Sequence, residues 1–213
     1  FVYDSALLYE LSVLFHGATY GTNLDLSAES GGSISLTVYD AAGGDDILNT
    51  VSASVMFAGA DEDAQTMSVV EITSISNASA RTYVPGPGSG KPVWFGLPAG
   101  AQDLRVDTQL LGADFLLAEE GFALLASVPP GEHEVIYTYE LPYTSDTVVF
   151  EKRFPYGADT LRVVAQYDSP KLASKQLGEP QVISMGGRPF QLLATADLPR
   201  EARISVELSG LPR

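Results

Sequence analysis

The sequence contains no cysteine and few basic residues. Without cysteine the chain has no disulfide, no catalytic thiol and no thiolate ligand for zinc. Only 12 lysine and arginine residues stand against 27 acidic residues, which gives a net charge of −15. Nucleic acids and anionic membrane surfaces both bind clusters of basic side chains. We therefore expect neither as a partner, and we interpret the acidity as keeping an exposed protein soluble.

Long apolar runs are also missing. No segment reaches the roughly 20 apolar residues of a transmembrane helix, and we recognise no signal-peptide pattern in these 213 residues. The chain opens Phe1-Val2-Tyr3 without a methionine, so we interpret it as a processed or excised piece of a longer protein, or as a chain without its disordered ends. Its 213 residues, 45% hydrophobic and 18% charged, suffice for one large or two smaller globular domains.

Strand patterns dominate what the sequence does contain. Four segments repeat apolar side chains with a period of two, which places one set of side chains on a core face. Turns rich in glycine, proline and aspartate separate them, and the best helical candidate, 113–120, is short enough that we predict a strand there. The chain is therefore predicted to be all-β and built from immunoglobulin-like or transthyretin-like β-sandwiches, one partial and one larger. The repeating apolar positions are Ile34, Leu36 and Val38; Val135, Tyr137, Tyr139 and Leu141; Leu161, Val163, Ala165 and Tyr167; and Ile204, Val206 and Leu208.

A stretch rich in glycine and aspartate, 42–49, is the predicted domain boundary. We expect residues 1–46 to form a partial N-terminal β-sandwich and residues 47–213 a larger sandwich of about eight to ten strands. The first segment holds too few strands to be stable alone. It therefore packs on the second domain, continues strands that lie upstream, or receives strands from a partner.

Two groups of segments resemble modules of bacterial surface proteins. YELSVLFHGATY (9–20) and SISLTVYDA (33–41) resemble the last strands of a carboxypeptidase-regulatory-like module, which is a transthyretin-like β-sandwich. RTYVPGPG (81–88), VWFGLPAGAQDLRV (93–106), VPPGEHEVIYTYELPY (128–143) and LSGLP (208–212) are similar to the domain that follows such modules in uncharacterised exported bacterial proteins. The first half of the regulatory-like module is absent. The resemblance implies a bacterial protein that is secreted, exposed at the cell surface or anchored by a segment outside this chain.

Residues that could carry catalysis do not form a recognisable site. His16 and His133 are the two histidines, too few for a zinc, copper or haem centre. No serine stands in the Gly-x-Ser-x-Gly turn of hydrolases, and prolines interrupt the glycine-rich segment 86–91 where a phosphate loop needs backbone amides. The adjacent Glu119 and Glu120 point to opposite faces of a strand, unlike a glycosidase pair. We predict that the chain is not an enzyme and has no cofactor, with calcium as the exception considered next.

Acidic turns are the one candidate metal site. Calcium takes several oxygen ligands, and Asp45, Asp46, Asp61 and Asp63 supply carboxylates in two turns. They would form a site if both turns lay at one end of the sandwich. The alternative is that these carboxylates are simply solvated.

Aromatic side chains are the stronger functional signal. Exposed aromatic rings stack on sugars and anchor protein interfaces. We select Trp94, Tyr143 and Tyr156 as candidate ligand or interface residues, and we assign Tyr137 and Tyr139 to the core because they share a face with Val135.

These observations favour a non-catalytic, extracytoplasmic structural or interaction module in a cell-surface assembly or at the periphery of a membrane complex. Its expected partners are proteins, either copies of itself or other subunits, bound through strand edges and aromatic loops. A carbohydrate-binding module, with a glycan as partner, and a calcium-stabilised adhesin are the alternatives.

Overall fold

The computed structural model describes residues 9–24, 33–86 and 91–212. These residues are almost wholly β, which confirms the predicted fold class, and one short 3-10 turn lies at Asp45–Ile47. The segment 113–120 contains a strand, as predicted. In the described residues no helix has the length and apolarity to cross a membrane. The strands are β1 (Tyr9–Phe15), β2 (Ala18–Leu24), β3 (Ala41–Ala42), β4 (Leu48–Asp61), β5 (Thr66–Asn77), β6 (Thr82–Tyr83), β7 (Val93–Gly96), β8 (Gln102–Thr108), β9 (Phe115–Ala118), β10 (Gly121–Leu124), β11 (Gly131–Pro142), β12 (Thr147–Phe154), β13 (Ala158–Gln166), β14 (Lys171–Ala173), β15 (Gln181–Met185), β16 (Arg188–Leu198) and β17 (Ala202–Ser209).

A seven-stranded sheet forms one layer of the molecule. Its strand order is β15-β16-β13-β4-β5-β11-β8, and its neighbours are antiparallel except for the parallel pair β13–β4. The alternation predicted for β11 is confirmed, because Val135, Tyr137, Tyr139 and Leu141 are all at most 4% exposed. The same period-two pattern buries one face of β17, and it buries Leu161, Val163 and Ala165 of β13. Tyr167, predicted to continue the β13 face, lies beyond the strand and is 42% exposed.

Two three-stranded sheets form the opposite layer, with orders β7-β10-β9 and β12-β17-β14. The hydrophobic core lies between the layers, where Phe57 of β4 meets Phe150 of β12 edge to face at 5.2 Å and Phe122 of β10 meets Tyr137 of β11 at 5.1 Å. The two small sheets touch where Gly96 lies against the backbone of Arg153. The chain is therefore a sandwich whose second layer is split.

The N-terminal residues form a smaller unit. β1 and β2 pair as a hairpin, and β3 runs parallel to β6. A separate small cluster buries Ala18, Tyr20 and Val84, and the Tyr20 hydroxyl lies 2.7 Å from Thr82 Oγ1. The predicted boundary between residues 46 and 47 falls inside the 3-10 turn and stays a prediction, and residues 1–8 and 25–32 of the predicted partial module lie outside the described residues.

The strand predicted for Ile34, Leu36 and Val38 is wrong. Residues 33–40 form no strand, and Ile34 and Val38 are 50% and 36% exposed. Among the described residues no neighbouring strand pairs with this segment, so its backbone has no ladder to join. Leu36 packs against the small cluster, and the Tyr20 hydroxyl donates to the Tyr39 carbonyl at 3.0 Å.

Candidate functional site

A pocket of about 360 Å³ opens where the 3-10 turn, the start of β7 and the turn after β12 meet. We call it the Trp94 pocket. It joins two predicted ligand residues, Trp94 and Tyr156, with Asp45, which the sequence placed in a calcium site. The residues lining the pocket are Asp45, Lys91, Pro92, Trp94, Arg153, Pro155, Tyr156, Arg200 and Glu201.

Trp94 is held in this pocket by the pleat of β7. Its neighbours Val93 and Phe95 are buried, so the alternation turns Trp94 to the other face of the strand. The Trp94 backbone N–H donates to the Tyr156 hydroxyl at 3.1 Å. Among the described residues, the buried indole Nε1–H finds no hydrogen-bond acceptor. Trp94 also lines a second cavity of about 20 Å³, which is large enough for one water molecule.

Two arginines form the cationic wall. The Arg200 guanidinium lies 5.1 Å from the centre of the Tyr156 ring, and its Nη1 donates to the Leu48 carbonyl at 2.7 Å. Its Nη2 donates to the Asp45 carbonyl at 3.2 Å. Arg153 donates from Nε to Glu201 at 2.6 Å and also pairs with it through Nη2. Packing of a guanidinium on an aromatic face orients both groups.

The structure corrects part of the aromatic prediction. Tyr143 is 3% exposed and donates to the Asp61 carbonyl at 3.2 Å, so its ring cannot serve as an exposed stacking surface. Tyr156 is only 5% exposed and contributes an edge of the pocket. Burial raises the pKa of Tyr156. Trp94 is the least buried of the three candidates, and the assignment of Tyr137 and Tyr139 to the core is confirmed.

The four carboxylates of the predicted calcium site are not brought together. Asp45 and Asp46 precede β4, whereas Asp61 ends it and Asp63 follows in the next turn. A strand of 14 residues spans about 40 Å, so the two turns lie at opposite ends of the sheet. Within the described ranges, no three His, Cys, Asp or Glu residues are grouped so as to hold a metal.

Other predicted candidates lie apart from the pocket. His16 Nδ1 is 3.4 Å from Asp40 at the β1–β2 turn, and His133 Nε2 is 2.8 Å from the Pro129 carbonyl. Glu119 and Glu120 form the turn between β9 and β10. Residues 87–90 of the glycine-rich segment lie outside the described residues.

A buried ionic cluster, centred on Glu71 and Lys152, was not predicted. Glu71 of β5 is fully buried, Lys152 of β12 is 4% exposed, and Lys152 Nζ lies 2.6 Å from Glu71 Oε2. Lys152 also donates to the Gly96 carbonyl at 2.6 Å and to the Tyr137 hydroxyl at 2.8 Å. The Tyr137 and Tyr139 hydroxyls donate to the two Glu71 oxygens at 2.8 Å each. We call these groups the Glu71 cluster.

Every proton of the Lys152 ammonium has an acceptor in the Glu71 cluster, which joins three different sheets. Burial lowers the pKa of Lys152, an effect that the neighbouring Glu71 carboxylate opposes. Burial also raises the pKa values of Tyr137 and Tyr139, and the Glu71 charge raises them further. Because the cluster is closed to solvent, its chemistry is that of a structural cross-link between layers. The signal in the sequence was a charged residue on the alternating face of each strand, with Glu71 between Val69 and Thr73 and Lys152 between Phe150 and Phe154.

Two sheet edges expose apolar side chains. On β9, an edge strand, Leu116 and Leu117 are 58% and 64% exposed. On β15, the edge of the seven-stranded sheet, Val182 and Met185 are 63% and 39% exposed. Exposed apolar edge strands pair readily with other chains.

Comparison with known proteins identifies no family. No protein-family model matches the chain, and neither does any curated protein sequence. Among solved structures, the chain is similar to a "putative nutrient binding protein" from Legionella pneumophila, with 12% identity, a TM-score of 0.47 and coverage of 81% of this chain and 69% of that one. It is also similar to an M1 zinc metallopeptidase from Deinococcus radiodurans, with 12% identity and a TM-score of 0.43, and it spans 42% of that enzyme. Those descriptions belong to the two proteins that carry them.

Proposed function

We propose that the chain is a non-catalytic interaction module of an extracytoplasmic assembly, and that it binds a protein partner by extending the seven-stranded sheet at β15. The observation that carries this proposal is the open, uncharged edge of β15. Its sequence is Gln-Val-Ile-Ser-Met, it pairs with β16 on one side, and four of its five side chains are exposed. An edge of this kind offers a partner strand both backbone hydrogen bonds and apolar contact.

The backbone groups that face the open edge can be named. β15 and β16 are joined by Gly186-Gly187, both with positive φ, so Met185 and Arg188 form the hydrogen-bonded pair that closes the hairpin. Bonded and non-bonded pairs alternate along an antiparallel ladder. The N–H and C=O groups of Val182 and Ser184 therefore point outward. Pro189, opposite Ser184, has no N–H to donate and fits a non-bonded position.

The opposite edge of the same sheet differs. β8 carries Asp103, Arg105 and Asp107, and charged side chains on an edge discourage pairing with other chains. One edge is therefore protected by charge, whereas the other is free of it. This asymmetry supports β15 as the surface for a partner strand, contributed by another copy of the chain or by a different subunit.

An extracytoplasmic location is part of the proposal. It is supported by the acidic surface, which favours solubility of an exposed protein, and by the resemblance to exported bacterial proteins. The partner assembly would lie at a cell surface or beside a membrane complex.

Site-specific photo-crosslinking of the full-length protein in its own assembly tests the proposal. A photoreactive residue at position 182 should crosslink to a single protein species, and the native mass should show fixed stoichiometry with that species. The variant Ser184→Pro removes an outward N–H that the monomer does not use, so it should abolish the crosslink while leaving thermal unfolding unchanged.

The matched control places the same photoreactive residue at position 72. Ile72 is 39% exposed and lies on the same sheet, but on a central strand with no open edge. It should give no adduct. A monomeric native mass together with no adduct from position 182 would overturn the proposal.

A further inference from the structure

The Trp94 pocket combines an aromatic wall with a local excess of positive charge. Three of its lining side chains are cationic, Lys91, Arg153 and Arg200, against the two carboxylates of Asp45 and Glu201. The pocket therefore has a net charge of +1, whereas the chain as a whole carries −15. A pocket of opposite sign to the rest of the surface concentrates anions.

Arg153 and Arg200 each have guanidinium N–H donors that are not used within the described residues. A guanidinium has five N–H donors in a fixed fork. Within the described part of the chain, Arg200 uses two of them on the carbonyls of Leu48 and Asp45, and Arg153 uses two on Glu201. Three donors on each arginine therefore remain for a ligand. Guanidinium forks match the geometry of a carboxylate, which accepts two parallel hydrogen bonds.

The aromatic side supplies the second half of a recognition site. Indole rings stack on the apolar face of a sugar and tolerate its flanking hydroxyls. Trp94 lines the pocket, and the pocket volume of about 360 Å³ is at the small end of the range for ligand sites. The Arg200–Tyr156 contact fixes the cationic group beside this wall at 5.1 Å.

We infer that the Trp94 pocket binds an acidic saccharide, with the sugar ring against Trp94 and its carboxylate on the free donors of Arg153 and Arg200. This inference does not depend on the β15 edge, which belongs to another sheet. It specifies uronic or sialic acid units rather than neutral sugars, because hydrogen bonds from a guanidinium to a carboxylate are stronger than those to a neutral hydroxyl.

Tryptophan fluorescence gives a direct readout, because Trp94 is the only tryptophan of the chain. Titration with galacturonate, glucuronate and sialic acid oligosaccharides should give a saturable change in emission for at least one of them. The matching neutral oligosaccharide should bind at least tenfold more weakly, since it lacks the charge-assisted hydrogen bonds.

Two variants separate the pocket from general effects. Arg153→Gln should weaken binding of the acidic sugar by roughly tenfold and leave binding of the neutral sugar unchanged. Arg162→Gln, at an exposed arginine of β13 in the other layer, should change neither. A cooperative thermal unfolding transition in each variant would confirm that both are folded. Equal affinity for acidic and neutral sugars, or no emission change with any of the three acidic sugars, would overturn the inference.

Discussion

At the scale of single residues, the Glu71 cluster dominates the interior. Charges are rarely buried unless they are paired and hydrogen-bonded, and here both conditions hold. Lys152 donates to Glu71, to Gly96 and to the hydroxyl of Tyr137, so removal of any member leaves another without a partner. The energetic consequence is asymmetric. Replacing one partner of a buried ion pair is strongly destabilising, whereas replacing both partners with uncharged residues costs far less stability.

Replacing Lys152 with methionine tests this asymmetry. The Glu71 carboxylate would remain buried without its counter-charge, so Lys152→Met should lower the free energy of unfolding by about 3–5 kcal/mol. The double variant Glu71→Gln/Lys152→Met leaves no buried charge and should recover part of that loss. Urea unfolding measures all three proteins.

The exposed Lys175→Met provides the control and should change stability by less than about 0.5 kcal/mol. If Lys152→Met had an effect as small as the control, the cluster would not hold the layers together.

Sequence patterns predicted single residues where burial follows strand alternation. Tyr137 and Tyr139 were assigned to the core by that rule, and they are buried. The rule places Glu71 and Lys152 on the buried faces of their strands, but it cannot pair them, since the pairing depends on how two sheets stack. Tyr143 was selected as an interface residue although it lies two positions after Leu141 on the same alternating face, and that alternation correctly indicates its burial.

At the scale of elements, the contact between β7 and β12 joins the two small sheets. Gly96 makes this contact possible, because a Cβ atom there would lie 2.3 Å from the Arg153 carbonyl oxygen. That obstacle is backbone, which cannot rotate away as a side chain would. The same Gly96 accepts a hydrogen bond from Lys152, so separating the strands would also disturb the Glu71 cluster.

Gly96→Ala should therefore destabilise the protein by about 1–3 kcal/mol through overpacking, measured by thermal or urea unfolding. The matched control is Gly59→Ala on β4, where an added Cβ meets nothing within 4 Å. That variant should be neutral or slightly stabilising, because alanine restricts the unfolded chain. Equal stability of the two variants would show that β7 and β12 can move apart freely.

Elements were predictable where a strand lies inside a sheet. β11, β13 and β17 follow their period-two patterns because each has a paired neighbour and one buried face. The segment 33–40 has the same pattern and forms no strand, since a local pattern does not supply a neighbour to pair with. The strand prediction for 33–40 was wrong because no partner strand is present among the described residues, not because its residues disfavour β structure.

At the scale of the whole molecule, the predicted sandwich was correct, but the condition for the calcium site was not met. The calcium hypothesis required Asp45 and Asp61 at one end, and the length of β4 separates them. Strand length and sheet order are set by the packing of the entire layer, which turn residues do not reveal. The convergence of Asp45, Trp94 and Tyr156 in one pocket has the same global origin.

Buried tyrosines make the stability of the whole molecule sensitive to alkaline pH. Burial is the main cause that raises the pKa of Tyr83, to about 12, and the pKa values of Tyr137, Tyr139 and Tyr156 are also raised. Below about pH 10 these phenols are protonated in both the folded and the unfolded chain. Above that pH the unfolded chain releases protons that the folded chain retains.

Stability should therefore be retained up to about pH 10 and fall as the pH rises toward the folded pKa values, by about 1.4 kcal/mol per pH unit for each retained proton. Lys152 has the opposite effect on stability at pH values below its ordinary pKa of about 10.4, because burial lowers its pKa in the folded state. We therefore expect the decline in stability at pH values above the ordinary pKa values of both tyrosine and lysine. Urea unfolding at a series of pH values measures the slope. Tyr83→Phe removes one retained proton and should make the slope shallower, whereas the exposed Tyr167→Phe should leave it unchanged. A slope that is the same in wild type and Tyr83→Phe would mean that this phenol does not contribute to the alkaline limit.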